Sequence, residues 1–147
     1  MATKRSPLNL EGAGIPESDW HEGMLNGARF TRANLSNANV RDAELTYSDF
    51  RFAILDGADF RGALLQNANL GGASLVGTNL SYSDLMGADL RDTKIVDADF
   101  TMARIAGAHL EGVDLTTAKG LTASQIIQAQ TDAATKLPIG LDLSKVA

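Results

Sequence analysis

The chain contains no cysteine. That excludes disulfides, thiolate metal sites and a cysteine nucleophile. Aromatics are scarce, with five Phe, two Tyr and one Trp in 147 residues, so any core must be built from small and aliphatic side chains. Only two histidines, His21 and His109, are available as a general base. No apolar run approaches the roughly 18 residues of a membrane span. Lys4 and Arg5 near the start are followed by no apolar h-region, so no secretory signal is read and the expected location is the cytoplasm. An excess of positive charge is also missing. The net charge is −5, which argues against direct binding to nucleic acid or to anionic membrane. What remains, 44% hydrophobic and 21% charged residues, suits one domain with a buried core.

What is present is a period of five. Every fifth residue from Leu25 to Leu115 is Leu, Phe, Ile or Val. At 44% hydrophobic residues overall, chance would give such a run in roughly one sequence in ten million. From Ala28 to Ala118, the residue two before each multiple of five is usually Ala, with Ser48, Thr78, Ser83, Thr93 and Val113 as the exceptions. Between them stands Asp or Asn in many copies, and two residues past the large one Gly is common, as at Gly57, Gly72 and Gly87. A helix cannot use this period: at about 100° per residue, the Ala and its large neighbour would face nearly opposite sides. In an extended chain, residues two apart share a face. Each Ala-x-Leu triplet therefore reads as a very short strand with both side chains inward, and the following two residues read as a turn. One such unit cannot bury its face alone, but stacked units can, which makes a solenoid.

Copies such as Ala33-Asn34-Leu35-Ser36-Asn37, Ala58-Asp59-Phe60-Arg61-Gly62 and Ala88-Asp89-Leu90-Arg91-Asp92 closely resemble the repeats of the pentapeptide-repeat family. The register runs through residues 8–119 without insertion or deletion. The resemblance implies an all-β solenoid, a right-handed quadrilateral β-helix with four pentapeptides per coil. At about 4.8 Å per coil the rod is roughly 27 Å long. Large residues should stack on their counterparts twenty positions on, Phe30 on Phe50 for example. The intervening column Asp19, Asn39, Asp59, Asn79, Asp99 never places one Asp directly over another, as like-charge repulsion across a ladder requires.

The period stops at Leu121. Thr122 with Gln125 fits a capping box, and Leu121 with Ile126 fits a hydrophobic staple. A capping helix over about 123–134 is expected, closed before Pro138. The division is thus a flexible 1–7, a β-helix over 8–119 and a cap over 120–147. A cap is needed because an open coil end exposes apolar side chains and unpaired backbone. A monomer is expected, with a dimer through the C-terminal segment as the alternative that resemblance to the quinolone-resistance branch suggests.

Nothing points to an enzyme. His21 and His109 fall on different columns, the glycines are turn glycines, and no catalytic residue, cofactor site or metal-ligand spacing is read. A filled tube also leaves no pocket. The expected function is a rigid scaffold that binds another protein, as yet unidentified. The candidate contact residues are Tyr47, Leu64 and Met86, on a face where only Glu44, Asp84 and Arg104 carry charge. A second apolar group comprises Phe52, Ile54, Val76 and Val96. The alternative, taken from the resemblance, is mimicry of a DNA duplex toward a type II topoisomerase. A duplex of this length carries about 16 charges, whereas residues 8–119 hold 16 acids but nine bases, and Arg41, Arg51, Arg61 and Arg91 dilute the acidic columns.

Overall fold

A computed structural model describes residues 6–145. Most of the expected flexible 1–7 segment lies outside the described residues. From residue 9 onward the chain winds as a right-handed quadrilateral β-helix. Coils stack through parallel bridges on each face between residues twenty positions apart. The first face runs Asn9–Arg29–Asp49–Asn69–Asp89–His109, the second Gly14–Asn34–Ile54–Ser74–Lys94, the third Asp19–Asn39–Asp59–Asn79–Asp99–Lys119, and the fourth Met24–Glu44–Leu64–Asp84–Arg104.

The inward residues behave as the period requires. The large positions from Phe30 to Leu115 and their Ala neighbours are buried. Phe30 and Phe50 stack at 4.9 Å with planes 5° apart, and Phe60 meets Phe50 edge-on at 5.8 Å. Ser48, Ser83 and Thr93 replace Ala without leaving a polar orphan, because each hydroxyl donates to the carbonyl three residues back at 2.6–2.7 Å. The second turn residue adopts positive φ in repeat after repeat, in non-glycines such as Tyr47 and Phe52 as well as in glycines. Glycine is required where the side chain one coil below folds upward. A methyl group at Gly72 would lie 2.6 Å from the Phe52 ring.

The capping helix is shorter than the sequence predicts. It spans Ala123–Gln128, not 123–134. The capping box is present in both directions, and Ile126 is buried. The helix stops because the last coil still offers unpaired backbone. Gln130 donates to Ala108 O at 2.8 Å and accepts from Leu110 N at 2.8 Å. Lys136 donates to Val113 O at 3.0 Å and accepts from Leu115 N at 2.8 Å. Two resumed bridges satisfy backbone that a longer helix would leave bare. The tail is thus part of the ladder as well as a lid, and a 3₁₀ turn, Leu143–Lys145, packs against the helix.

One seam interrupts the ladder. In each earlier coil of the second face, bonds equivalent to Leu75 N–Lys94 O and Lys94 N–Ala73 O are made. Among the described residues, neither Ile95 N to Asp114 O nor Asp114 N to Thr93 O is formed. Asp97 N turns instead to Thr117 Oγ1, at 3.1 Å. A cleft of about 410 Å³ opens there. The cause is the small inward column Ala13, Ala33, Ala53, Ala73, Thr93, Val113. Single Ser or Thr residues elsewhere have Ala one coil above and below, and their ladders hold. Thr93 and Val113 are adjacent β-branched residues at a position sized for Ala, and they wedge the coils apart. The amides of Ile95 and Asp114 should therefore exchange about a hundredfold faster than those of Leu75 and Lys94. Val113→Ala should erase most of that difference, as NMR-detected hydrogen exchange would show.

Candidate protein-contact face

On the fourth face, the bridged residues Met24, Glu44, Leu64, Asp84 and Arg104 form one outward column. Tyr47 projects from the turn beside it, 72% exposed, and Leu64 is 38% exposed. Met86 is more covered than its outward position implies. It is half-buried and lines a depression of about 480 Å³ with Gln66, Asp84 and Arg104. That depression is built around a carboxylate that sequence reasoning counted only as a surface charge. The Asp84 side chain is 8% exposed. It accepts from Met86 N at 3.1 Å, Gln66 Nε2 at 2.9 Å and Arg104 Nη1 at 3.0 Å. Its charge is thus compensated by one guanidinium and two further donors, which is what a buried carboxylate needs. Glu44 accepts from Asn26 Nδ2 at 3.2 Å. Leu64 stands in the bridged column and Tyr47 in the second turn column of this face, and Met86, two coils above Tyr47, lines the depression from the turn column between them. The signal that could have found the buried carboxylate is the spacing of Gln66, Asp84 and Arg104, which places a donor below and a cation above Asp84.

Phe52 and Ile54 are exposed on the neighbouring side of the rod. Phe52 carries the Arg32 guanidinium 5.2 Å from its ring centroid. The acidic columns are clipped by arginines two residues on. Arg51 holds Asp49, Arg61 holds Asp59 and Arg91 holds Asp89, each through paired N–H···O contacts. The arginine hydrogen bonds keep the carboxyls of Asp49 and Asp89 below their ordinary range. At Asp59 burial pushes upward, but the Arg61 contacts outweigh it and the net direction is down. His21 rests on Asp19 at 2.6 Å and His109 on Glu111 at 3.1 Å. The two imidazoles stay on separate columns.

A family profile for pentapeptide repeats matches with 8 copies, over residues 25–62, 53–92 and 83–119. Among solved structures, a pentapeptide repeat protein of the cyanobacterium Cyanothece 51142 is 27% identical. That match covers 88% of each chain at a TM-score of 0.37. A pentapeptide repeat protein of the Arabidopsis thaliana thylakoid lumen is also 27% identical, over 71% of this chain and 69% of its own, at 0.38. QnrB1, a plasmid-mediated fluoroquinolone resistance protein, is 19% identical over 90% of this chain and 91% of its own, at 0.42. No curated protein matches the chain. The unbroken period, the four-faced ladder and the matched repeats give one answer: the chain belongs to the pentapeptide-repeat family.

Proposed function

We propose that the protein is a non-enzymatic scaffold that binds another protein through its fourth face. The observation that carries this reading is the grouping of exposed Tyr47 and Leu64 with the Met86 depression where few charges must be desolvated. Glu44 and Asp84 already have partners within the chain, and Arg104 is the one cation among the outward residues of that face. Association there strips water from apolar surface at small electrostatic cost. Duplex mimicry toward a type II topoisomerase is less well supported, because the arginine clips turn the carboxylates of Asp49, Asp59 and Asp89 into local ion pairs rather than free phosphate-like charges. A gyrase supercoiling assay with a quinolone separates the two readings.

The test of the scaffold reading is a pull-down from the native host, followed by a Tyr47→Ser, Leu64→Ser, Met86→Ala variant. The first two changes should each alter stability by no more than about 0.5 kcal/mol. The half-buried Met86 should cost about 1 kcal/mol. The folded variant should lose the captured partner. Full retention by a folded variant would move the site, with Phe52, Ile54, Val76 and Val96 next in line.

A further inference from the structure

We infer that the N-terminal end of the rod is a docking surface for an extended segment of another protein in which basic residues alternate with apolar ones. The two ends of the rod are finished differently. At the C-terminal end, α1 (Ala123–Gln128) and the resumed bridges cover the last coil. At the N-terminal end, nothing among the described residues covers the first. The axis residues Leu10, Ile15, Trp20 and Leu25 are only partly buried, whereas their counterparts one coil on are fully buried. Around them, the N–H and C=O of Asn9, Gly14, Asp19 and Met24 have no backbone partner among the described residues. The end therefore combines an apolar floor with a rim of donors and acceptors unpaired among the described residues, which is what strand addition uses.

Charge selects the occupant. From Ser6 to Ala28 the chain carries Glu11, Glu17, Asp19 and Glu22 and not one Lys or Arg. Glu11 is paired with Arg29 and Asp19 with His21, whereas Glu17 and Glu22 are exposed at turn positions of this first coil and make no ion pair among the described residues. A second copy docking end to end would bring these acids against their own counterparts, so the rim resists self-association. A segment with Lys or Arg on alternate positions would place its cations against the rim and its apolar residues on the floor. The sole tryptophan lies in that floor. Trp20 meets Phe30 edge-on at 5.9 Å, and its Nε1–H donates to Ser18 Oγ at 2.7 Å. Tryptophan is the residue most enriched where interfaces concentrate their energy.

Trp20 also supplies the readout, since no other residue contributes tryptophan emission. The probe is a short synthetic peptide alternating lysine and valine, titrated into the full chain. A matched peptide alternating glutamate and valine is the control. The expected result is a saturable blue shift with the basic peptide and binding at least about tenfold weaker with the acidic one. The shift should weaken near 1 M salt, where the screening length falls to about 3 Å. A Glu17→Lys, Glu22→Lys variant should reverse the preference. Equal response to both peptides, or no saturable response, would overturn the inference. So would a shift produced by raising the protein concentration alone, which would make a second copy the occupant. A peptide response seen only after removal of residues 1–5 would assign the end to the chain's own Lys4 and Arg5 and would equally overturn it. The fourth-face variant should bind the peptide as the unaltered chain does, so this inference and the proposed scaffold face fail separately.

Discussion

Removing residues 121–147 should turn a discrete particle into one that self-associates. Ile126 is buried, and Leu121, Ala129, Leu137, Leu141 and Leu143 pack on the end of the core. Losing them uncovers Ile105, Leu110 and Leu115, each at most 2% exposed in the intact chain. The deletion also strips the backbone partners of Ala108 O, Leu110 N, Val113 O and Leu115 N, and removes the Gln125 amide that donates to Phe100 O and Ala103 O. A bare apolar end with an unpaired rim is an association surface. This rim lacks the protection of the other end, because Arg104, His109, Asp114 and Lys119 mix both signs. Sedimentation velocity should show the full chain as one species and the truncated chain as concentration-dependent larger ones. A truncated chain that stays monomeric with an unchanged melting temperature would mean that the last coil needs no lid. Ile126→Asp is the milder companion. It keeps the tail but puts a charge where burial is nearly complete, and it should loosen the same cover.

Why so much was legible follows from one-dimensional repetition. A period of five fixes which residues face inward, and a coil of twenty fixes which of them touch, so the Phe30–Phe50 stack could be named from spacing alone. Two features escaped, for different reasons. The helix ended at Gln128 because the backbone of the last coil had to be paired. That demand belongs to the coil beneath and leaves no mark in the local propensity of Ala129–Ala134. The seam at Ile95 and Asp114 was written in the sequence, as Thr93 followed twenty residues later by Val113. It becomes visible only when the small inward positions are compared column by column. The candidate face was legible as a lack of charge, while the burial of Asp84 depended on two donors, Gln66 and Arg104, that lie one coil below and above it.

Phe50→Ala should be the most damaging single substitution among the large inward positions of the N-terminal half. It removes a ring that stacks on Phe30 and meets Phe60 edge-on. Those contacts continue to Trp20 through Phe30. A buried Phe→Ala change costs about 3–5 kcal/mol. The neighbours cannot collapse into the gap, because ladder bonds on all four faces hold the coils at fixed spacing. In a solenoid each coil leans only on its neighbours, so damage of this size need not unfold the whole rod at once. The coils around residues 8–67 should melt first, leaving the capped C-terminal coils folded. Trp20 emission reports the first event, and far-ultraviolet circular dichroism reports both. In the intact chain the two probes should give one coincident transition. In Phe50→Ala the Trp20 transition should fall by about 10 °C or more and separate from the dichroism transition. Phe100→Ala, near the other end, should do the reverse, lowering the dichroism midpoint while Trp20 follows later. Coincident probes in both variants would mean that the rod melts as one unit, and the nearest-neighbour account of its stability would have to be abandoned.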